Sequence, residues 1–301
     1  CSSMERLLIT LILVCTMSNI TNAQNPFYGQ YHTPHGTVPF DRIETEHYEP
    51  AILEGIKLQN AEIEAIIQNP EKADFSNTIE AFEASGELLD KVVAVFGNML
   101  SAETNDDLQE LAQKIMPLLS EHSNNITLNE KLFARVKEVY NQKETLQLTQ
   151  EQKQLLENAY NSFVRHGANL EGKAREEYRR LTNELSKLTL TFSENNLKET
   201  NAYQMLLTKK ESLAGLPEII IEAAAETAKS EEKEGWAFTL HAPSYVPFMT
   251  YSDNRDLRQK LYMAYNTKCT HDNEFNNIDI VKNIANTRMK IAQLLGYKDY
   301  A

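Results

Sequence analysis

No two histidines in this chain stand four residues apart. The seven are His32, His35, His47, His122, His166, His241 and His271. A helix-borne hydrolytic zinc site needs two imidazoles facing one way along a helix, with a glutamate between them to activate the bound water, so that motif is absent from these 301 residues. A Gly-rich phosphate loop, a Gly-x-Ser-x-Gly elbow and a Cys-x-x-Cys pair are missing as well. Cysteine is scarce: Cys1, Cys15 and Cys269 are too few and too scattered for a disulfide framework or a structural zinc site. Basic charge is short too, with 30 Lys and Arg against 43 Asp and Glu and a formal net charge of -13. Such a balance repels phosphate backbones, and with no compensating basic stripe it argues against nucleic-acid binding as the main role.

The apolar run near the start falls short of the roughly 20 residues that span a bilayer. What it offers instead is an export signal. Met4 is a candidate initiator, Arg6 gives a thin positive region weakened by Glu5, Leu7 to Val14 is the apolar stretch, and Thr21-Asn22-Ala23 supplies small residues for cleavage. Residues 1–23 are therefore read as a signal peptide, with a mature chain from Gln24 that is exported to the periplasm or the extracellular space. Lipoprotein processing at Cys15 is disfavoured by the bulky Val14, and an uncleaved anchor by the short run.

What remains is long enough for two domains of ordinary size, roughly 100 to 200 residues each. Residues 24–40 are rich in Tyr, His, Gly and Pro without a period and read as an extended leader packed on a body. From Glu44 the pattern is helical for about 150 residues. Pro50 suits a first turn, with Ile52, Ile56, Ile63 and Ile67 on one face. Asn77 and Glu80 have capping-box spacing before Ile79, Phe82, Leu89, Val93, Phe96 and Leu100, and Gly86 on that seam reads as a close helix crossing. Asn105, Asn129 and Thr149 start further helices, the first kinked at Pro117 and the last stopping at Gly167. The longest helix is expected from about Glu171 to Asn196. These apolar stripes read as core.

After Thr200 the texture changes. Tyr203 to Leu207 and Trp236 to Leu240 read as strands around a helix from Leu216-Pro217 to about Lys229, a small β-ribbon near 203–240. Ala242 to Pro247 is expected to be an irregular crossing, and Ser252 to Asp256 to cap another helix. The fold class is mainly α. The last helix carries Ile280, Ile284, Ile291 and Leu295 and is stopped by Gly296, with Ile291 and Leu295 expected in a core. The sequence ends soon afterwards, which suggests a longer protein cut short.

Three groups invite a chemical reading. His32 and His35 sit three apart in a Gly/Pro loop without a third ligand, and solvated loop histidines are the better reading. Glu44, Glu46, His47 and Glu49 offer a cation site, against which stands a charged helix start with acidic residues favoured near its N-terminus. Cys269 and His271 invite a thiol nucleophile, but sequence neighbours lack the assembled geometry and nothing marks an orienting partner. No catalytic, substrate-binding or metal-ligating residue is assigned from the residues alone.

Five segments carry a likeness to a known family. Tyr48-Glu-Pro-Ala-Ile, Phe75-Ser-Asn-Thr-Ile-Glu-Ala-Phe-Glu83, Arg165-His-Gly-Ala-Asn-Leu170, Ser252-Asp-Asn-Arg-Asp-Leu-Arg258 and Arg288-Met-Lys-Ile-Ala-Gln-Leu-Leu-Gly-Tyr-Lys-Asp-Tyr-Ala301 resemble, in the same order, the M3 family of zinc metallopeptidases, and within it the bacterial peptidyl-dipeptidases. The resemblance implies the N-terminal half of a channel-type peptidase that admits short peptides, with one zinc ion in the full-length protein. After the signal peptide read at 1–23, it implies an N-terminal helical domain at 24–251 and the start of a catalytic domain at 252–301. The His-Glu-x-x-His helix would lie beyond Ala301, so no ligand or general base is carried over, and this chain alone is expected to be inactive until joined by its own C-terminal catalytic half. A non-catalytic helical peptide-binding or scaffold protein is the competing reading.

Overall fold

A computed structural model of the chain describes residues 25–301. The export signal expected over residues 1–23 lies outside the described residues. Among the described residues the chain forms ten α-helices of ten or more residues, besides a single helical turn at Ala81–Glu83, and one two-stranded ribbon, in the order α1 (Thr45–Gln68), α2 (Glu87–Ala102), α3 (Asp106–Thr127), α4 (Glu130–Asn141), α5 (Gln150–Arg165), α6 (Gly172–Ala202), β1 (Gln204–Leu207), α7 (Glu218–Ser230), β2 (Trp236–Thr239), α8 (Ala242–Tyr251), α9 (Arg255–Asn266) and α10 (Ile278–Leu294). It divides into two compact units, one made of residues 25–183 with Leu294–Tyr297, the other of Glu184–Gln293 with Lys298–Ala301. The mainly helical class with a small ribbon is as expected.

In the first unit the leader is tied down by one aromatic anchor. Phe27 is fully buried and its ring lies 5.4 Å from that of Tyr48, which in turn lies 5.2 Å from Phe96. Asn25 Nδ2 donates to the His47 carbonyl at 2.8 Å and fixes the leader over the start of α1. A second core gathers Ile63, Ile79, Leu132, Val136, Leu156 and Phe163 from α1, the turn after it, α4 and α5. The expected starts at Asn105, Asn129 and Thr149 are all present: each side chain accepts the N–H three residues on, so a first-turn donor left without a helical partner is satisfied.

Several boundaries differ from the sequence reading, each for a local reason. α1 begins at Thr45, so Pro50 is its sixth residue and costs one bond to the preceding turn, a loss offset by burial of Tyr48, Ala51 and Ile52. The box expected at Asn77 and Glu80 is instead Asp74 with Asn77: the Asn77 N–H donates to Asp74 Oδ1 at 2.7 Å, and Asp74 N–H donates to Asn77 Oδ1 at 3.0 Å. It opens a π-helical turn, Phe75–Glu80. The single helix expected across residues 77–100 breaks at Gly86, whose φ of 83° starts α2 afresh. The close crossing belongs to Gly55: a Cβ there would lie 2.9 Å from Leu89 Cα. α3 continues through Pro117 to Thr127, and α6 runs on to Ala202.

In the second unit β1 and β2 pair antiparallel, with Gln204 opposite Thr239 and Leu207 opposite Trp236. Met205, Leu213, Ala224, Phe238, Phe248 and Leu261 form its core, and the Phe238 and Phe248 rings meet edge-on at 4.6 Å. The stretch expected to be irregular, 242–247, is helical. Pro243 sits in the first turn, where its missing N–H has no partner to lose, and the His241 carbonyl accepts the N–H of Tyr245 at 2.8 Å. α9 begins on Asn254, whose side chain accepts the Leu257 N–H at 3.1 Å. Ile291 of α10 is buried as expected, whereas Leu295 is only half-buried; Gly296, with φ 84°, ends the helix.

Candidate functional site

The structure brings one candidate pair together around a third residue, Glu199, that no local pattern joins to it. Glu199 lies near the end of α6, and the loop from Thr267 to Asn277 lies along that part of the helix. The Cys269 N–H donates to Glu199 Oε2, while His271 Nδ1 stands 2.7 Å from Glu199 Oε1. Asn277 fastens the other end of the loop: its Nδ2 donates to the Phe192 carbonyl at 3.0 Å, its Oδ1 accepts from Asn195 Nδ2 at 2.9 Å, and its N–H donates to the Cys269 carbonyl at 2.7 Å. Its own carbonyl accepts the Val281 N–H at 2.8 Å in the first turn of α10. Seventy-two residues separate Glu199 from His271, so no local spacing signals this link.

The resulting electrostatics oppose nucleophilic use. Burial pushes the Cys269 thiol up, and the bond and negative charge of Glu199 push it further, to about 11. A nucleophilic cysteine needs the reverse, a thiolate held by positive charge. Burial also works to raise the Glu199 carboxyl, but the bonds from His271 and the Cys269 N–H outweigh it and leave the group below the usual glutamate range. Thr267 Oγ1 lies 3.2 Å from His271 Nε2, so both imidazole nitrogens are engaged and neither faces the sulfur as a base. The cluster clasps a loop to a helix.

The other candidates resolve in the same direction. At the charged start of α1, Glu44 N–H donates to His47 Nδ1 at 2.9 Å, so His47 serves the first turn of the helix. Glu49 pairs with Lys114 at 2.5 Å. Glu44, Glu46, Asp107 and Glu110 line an open groove of about 1070 Å³ beside them. His32 and His35 are both exposed in the leader. Among the described residues no three His, Cys, Asp or Glu side chains gather so as to hold a metal ion. The zinc implied by the family resemblance therefore finds no fitting donor set in these residues, and its ligands are not assigned to this chain. No described helix is long and apolar enough to cross a membrane.

The described residues assemble no catalytic centre, and the chain's likeness to known proteins adds what the geometry does not. No family model matches the chain. Dipeptidyl carboxypeptidase of Escherichia coli is 36% identical over 278 residues, covering 92% of this chain and 41% of that protein. Oligopeptidase A of Salmonella typhimurium is 29% identical over 281 residues, with the same two shares, and dipeptidyl carboxypeptidase of that organism is 34% identical over 278. The chain spans about two-fifths of the length of these curated relatives. Over 92% of its length the chain is a homologue of dipeptidyl carboxypeptidase and oligopeptidase A, peptidases of the M3 family that its sequence segments resemble.

Proposed function

We propose that this chain is the N-terminal portion of an exported zinc metallopeptidase that hydrolyses short peptides and releases dipeptides from their C-termini. The observation that carries the reading is the 36% identity to E. coli dipeptidyl carboxypeptidase across 92% of the chain. The helices of residues 24–251 would wall the peptide channel, and residues 252–301 would open the catalytic domain. The ligands of the zinc ion and the general base belong, on this reading, to the portion of the protein this chain does not span. Zinc when bound supplies a water of lowered pKa and polarises the scissile carbonyl.

The test begins with the coding sequence after Ala301, which should encode a His-Glu-x-x-His helix. The purified full-length protein should then release dipeptides from N-blocked short peptides and lose that activity to a chelator. A downstream sequence without the motif, or cleavage untouched by chelation, would return the chain to the class of helical peptide-binding or scaffold proteins. Cleavage only inside peptides would keep the peptidase and remove the dipeptide specificity.

A further inference from the structure

α10 carries two apolar stripes, and only one of them is covered among the described residues. The first runs through Ile280, Ile284, Thr287 and Ile291 and is half-buried to buried. The second runs through Ile278, Val281, Ala285 and Met289, spaced three, four and four residues apart, so that all four share one face of the helix. All four are exposed, Val281 by 49% and Met289 by 44%. At the head of this face is a cavity of about 380 Å³ walled by Phe192, Ile278 and Val281, with Asn196 and Lys282 at its polar edge. Phe192 is itself 39% exposed. The face thus has a recess the size of one or two large apolar side chains.

This exposure is not spread evenly. Twelve of the seventeen large apolar side chains exposed among the described residues belong to the second, smaller unit, and four of them, Phe192, Ile278, Val281 and Met289, form the α10 face and its recess. A continuous apolar face of this kind marks a surface that another segment covers. The relatives supply the candidate, because the chain spans only 41% of each. A covalently linked segment acts at an effective concentration of order millimolar, which favours it over a second copy of the chain at ordinary dilution.

We infer that the Ile278, Val281, Ala285 and Met289 face of α10, with the recess at Phe192, is the seat of an apolar segment of the same polypeptide lying beyond Ala301. This rests on the reading of the chain as one portion of a longer peptidase. Burial of that face would fix the direction of α10 and couple the loop clasped by Glu199 to the remainder of the protein.

Methionine oxidation tests it without altering the protein. Residues 24–301 and the full-length protein are exposed to dilute hydrogen peroxide, with the buried Met205 as the slow reference. Met289 should oxidise readily in the shorter chain and about tenfold more slowly in the full-length protein. A photo-crosslinking amino acid in place of Val281 should then join the full-length protein to its own residues beyond Ala301. Equal oxidation of Met289 in both proteins overturns the inference, as does a crosslink to a second copy. If the residue-281 variant fails to fold, the oxidation ratio in the unaltered protein decides. Loss of the peptidase reading would show separately, as a downstream sequence without the zinc motif.

Discussion

Gly55 of α1 faces the backbone of Leu89 in α2, where a Cβ would come within 2.9 Å of the Leu89 Cα and 3.0 Å of its nitrogen. Leu89 is buried and Val92, one turn on, is fully buried, so the neighbouring helix has no flexible side-chain end to yield. Gly55→Ala should force the two helices apart and destabilise the first unit by about 1 to 3 kcal/mol, in spite of alanine's better helix propensity. Chemical denaturation followed by circular dichroism gives the number. An unchanged or raised midpoint would show that α1 and α2 do not meet as closely as described.

Gly86 supplies the contrast, since the sequence reading placed the crossing there. Its φ of 83° and the Gln59 amide, whose nitrogen would lie 2.3 Å from an added Cβ, make it a chain reversal between the π-helical turn and α2. The Gly86 N–H donates to Glu62 Oε2 at 2.8 Å and secures the reversal. Periodicity alone cannot separate these roles, because a glycine on an apolar seam looks the same whether the helix passes through it or begins again. The helix starts at Asn105, Asn129 and Thr149, the ribbon and the ends at Gly167 and Gly296 were legible, because each depends on a few neighbouring residues. The clasp of Glu199 with Cys269 and His271 was not, because it joins residues about 70 apart on polar positions that carry no period. Asn77 lay between the two cases: the reciprocal pair was visible, but its partner is Asp74 behind it rather than Glu80 ahead.

His122 ties α3 to α1, with its Nε2 2.7 Å from Gln59 Oε1 in a buried position. Burial holds its pKa below the ordinary imidazole value. The unfolded chain therefore binds a proton first as pH falls, near the unperturbed value of about 6.5. Stability should be full above that pH and decline from there down toward the depressed pKa of the folded state. His122→Gln, which keeps an amide beside Gln59 and removes the titration, should flatten the decline that sets in below about pH 6.5. Parallel urea titrations of the two proteins at several pH values measure it; equal slopes in both would remove His122 as the cause.

Cys269 should be inert in the folded protein. A thiol at about 11 leaves roughly one molecule in a thousand as thiolate at pH 8, and the side chain is 5% exposed. In residues 24–301 it is the sole cysteine, so labelling with a disulfide reagent reads it directly. Slow labelling that becomes fast in denaturant is expected. Glu199→Gln removes the negative charge and weakens the hold on the 267–277 loop, so labelling should accelerate. Fast labelling of the unaltered folded chain would restore the thiol to the list of candidate nucleophiles.

The activity of the isolated chain follows from where its histidines are spent. His47 serves the first turn of α1, His122 is bonded to Gln59, His271 to Glu199, and His241 Nε2 lies 3.0 Å from Asn201 Oδ1. His166 Nδ1 is 2.7 Å from the Ser162 carbonyl at the end of α5, leaving His32 and His35 exposed in the leader. Two imidazoles three apart on a loop, with no third donor converging among the described residues, cannot hold zinc at the affinity of a catalytic site. Purified residues 24–301 should therefore bind no stoichiometric zinc by calorimetry and release no dipeptide from an N-blocked short peptide, whether zinc is added or chelated away. Both measurements are needed, since a weak surface ion would give binding without turnover. Zinc-dependent dipeptide release at one ion per chain would place the catalytic residues within this chain and overturn the proposal that catalysis lies outside it.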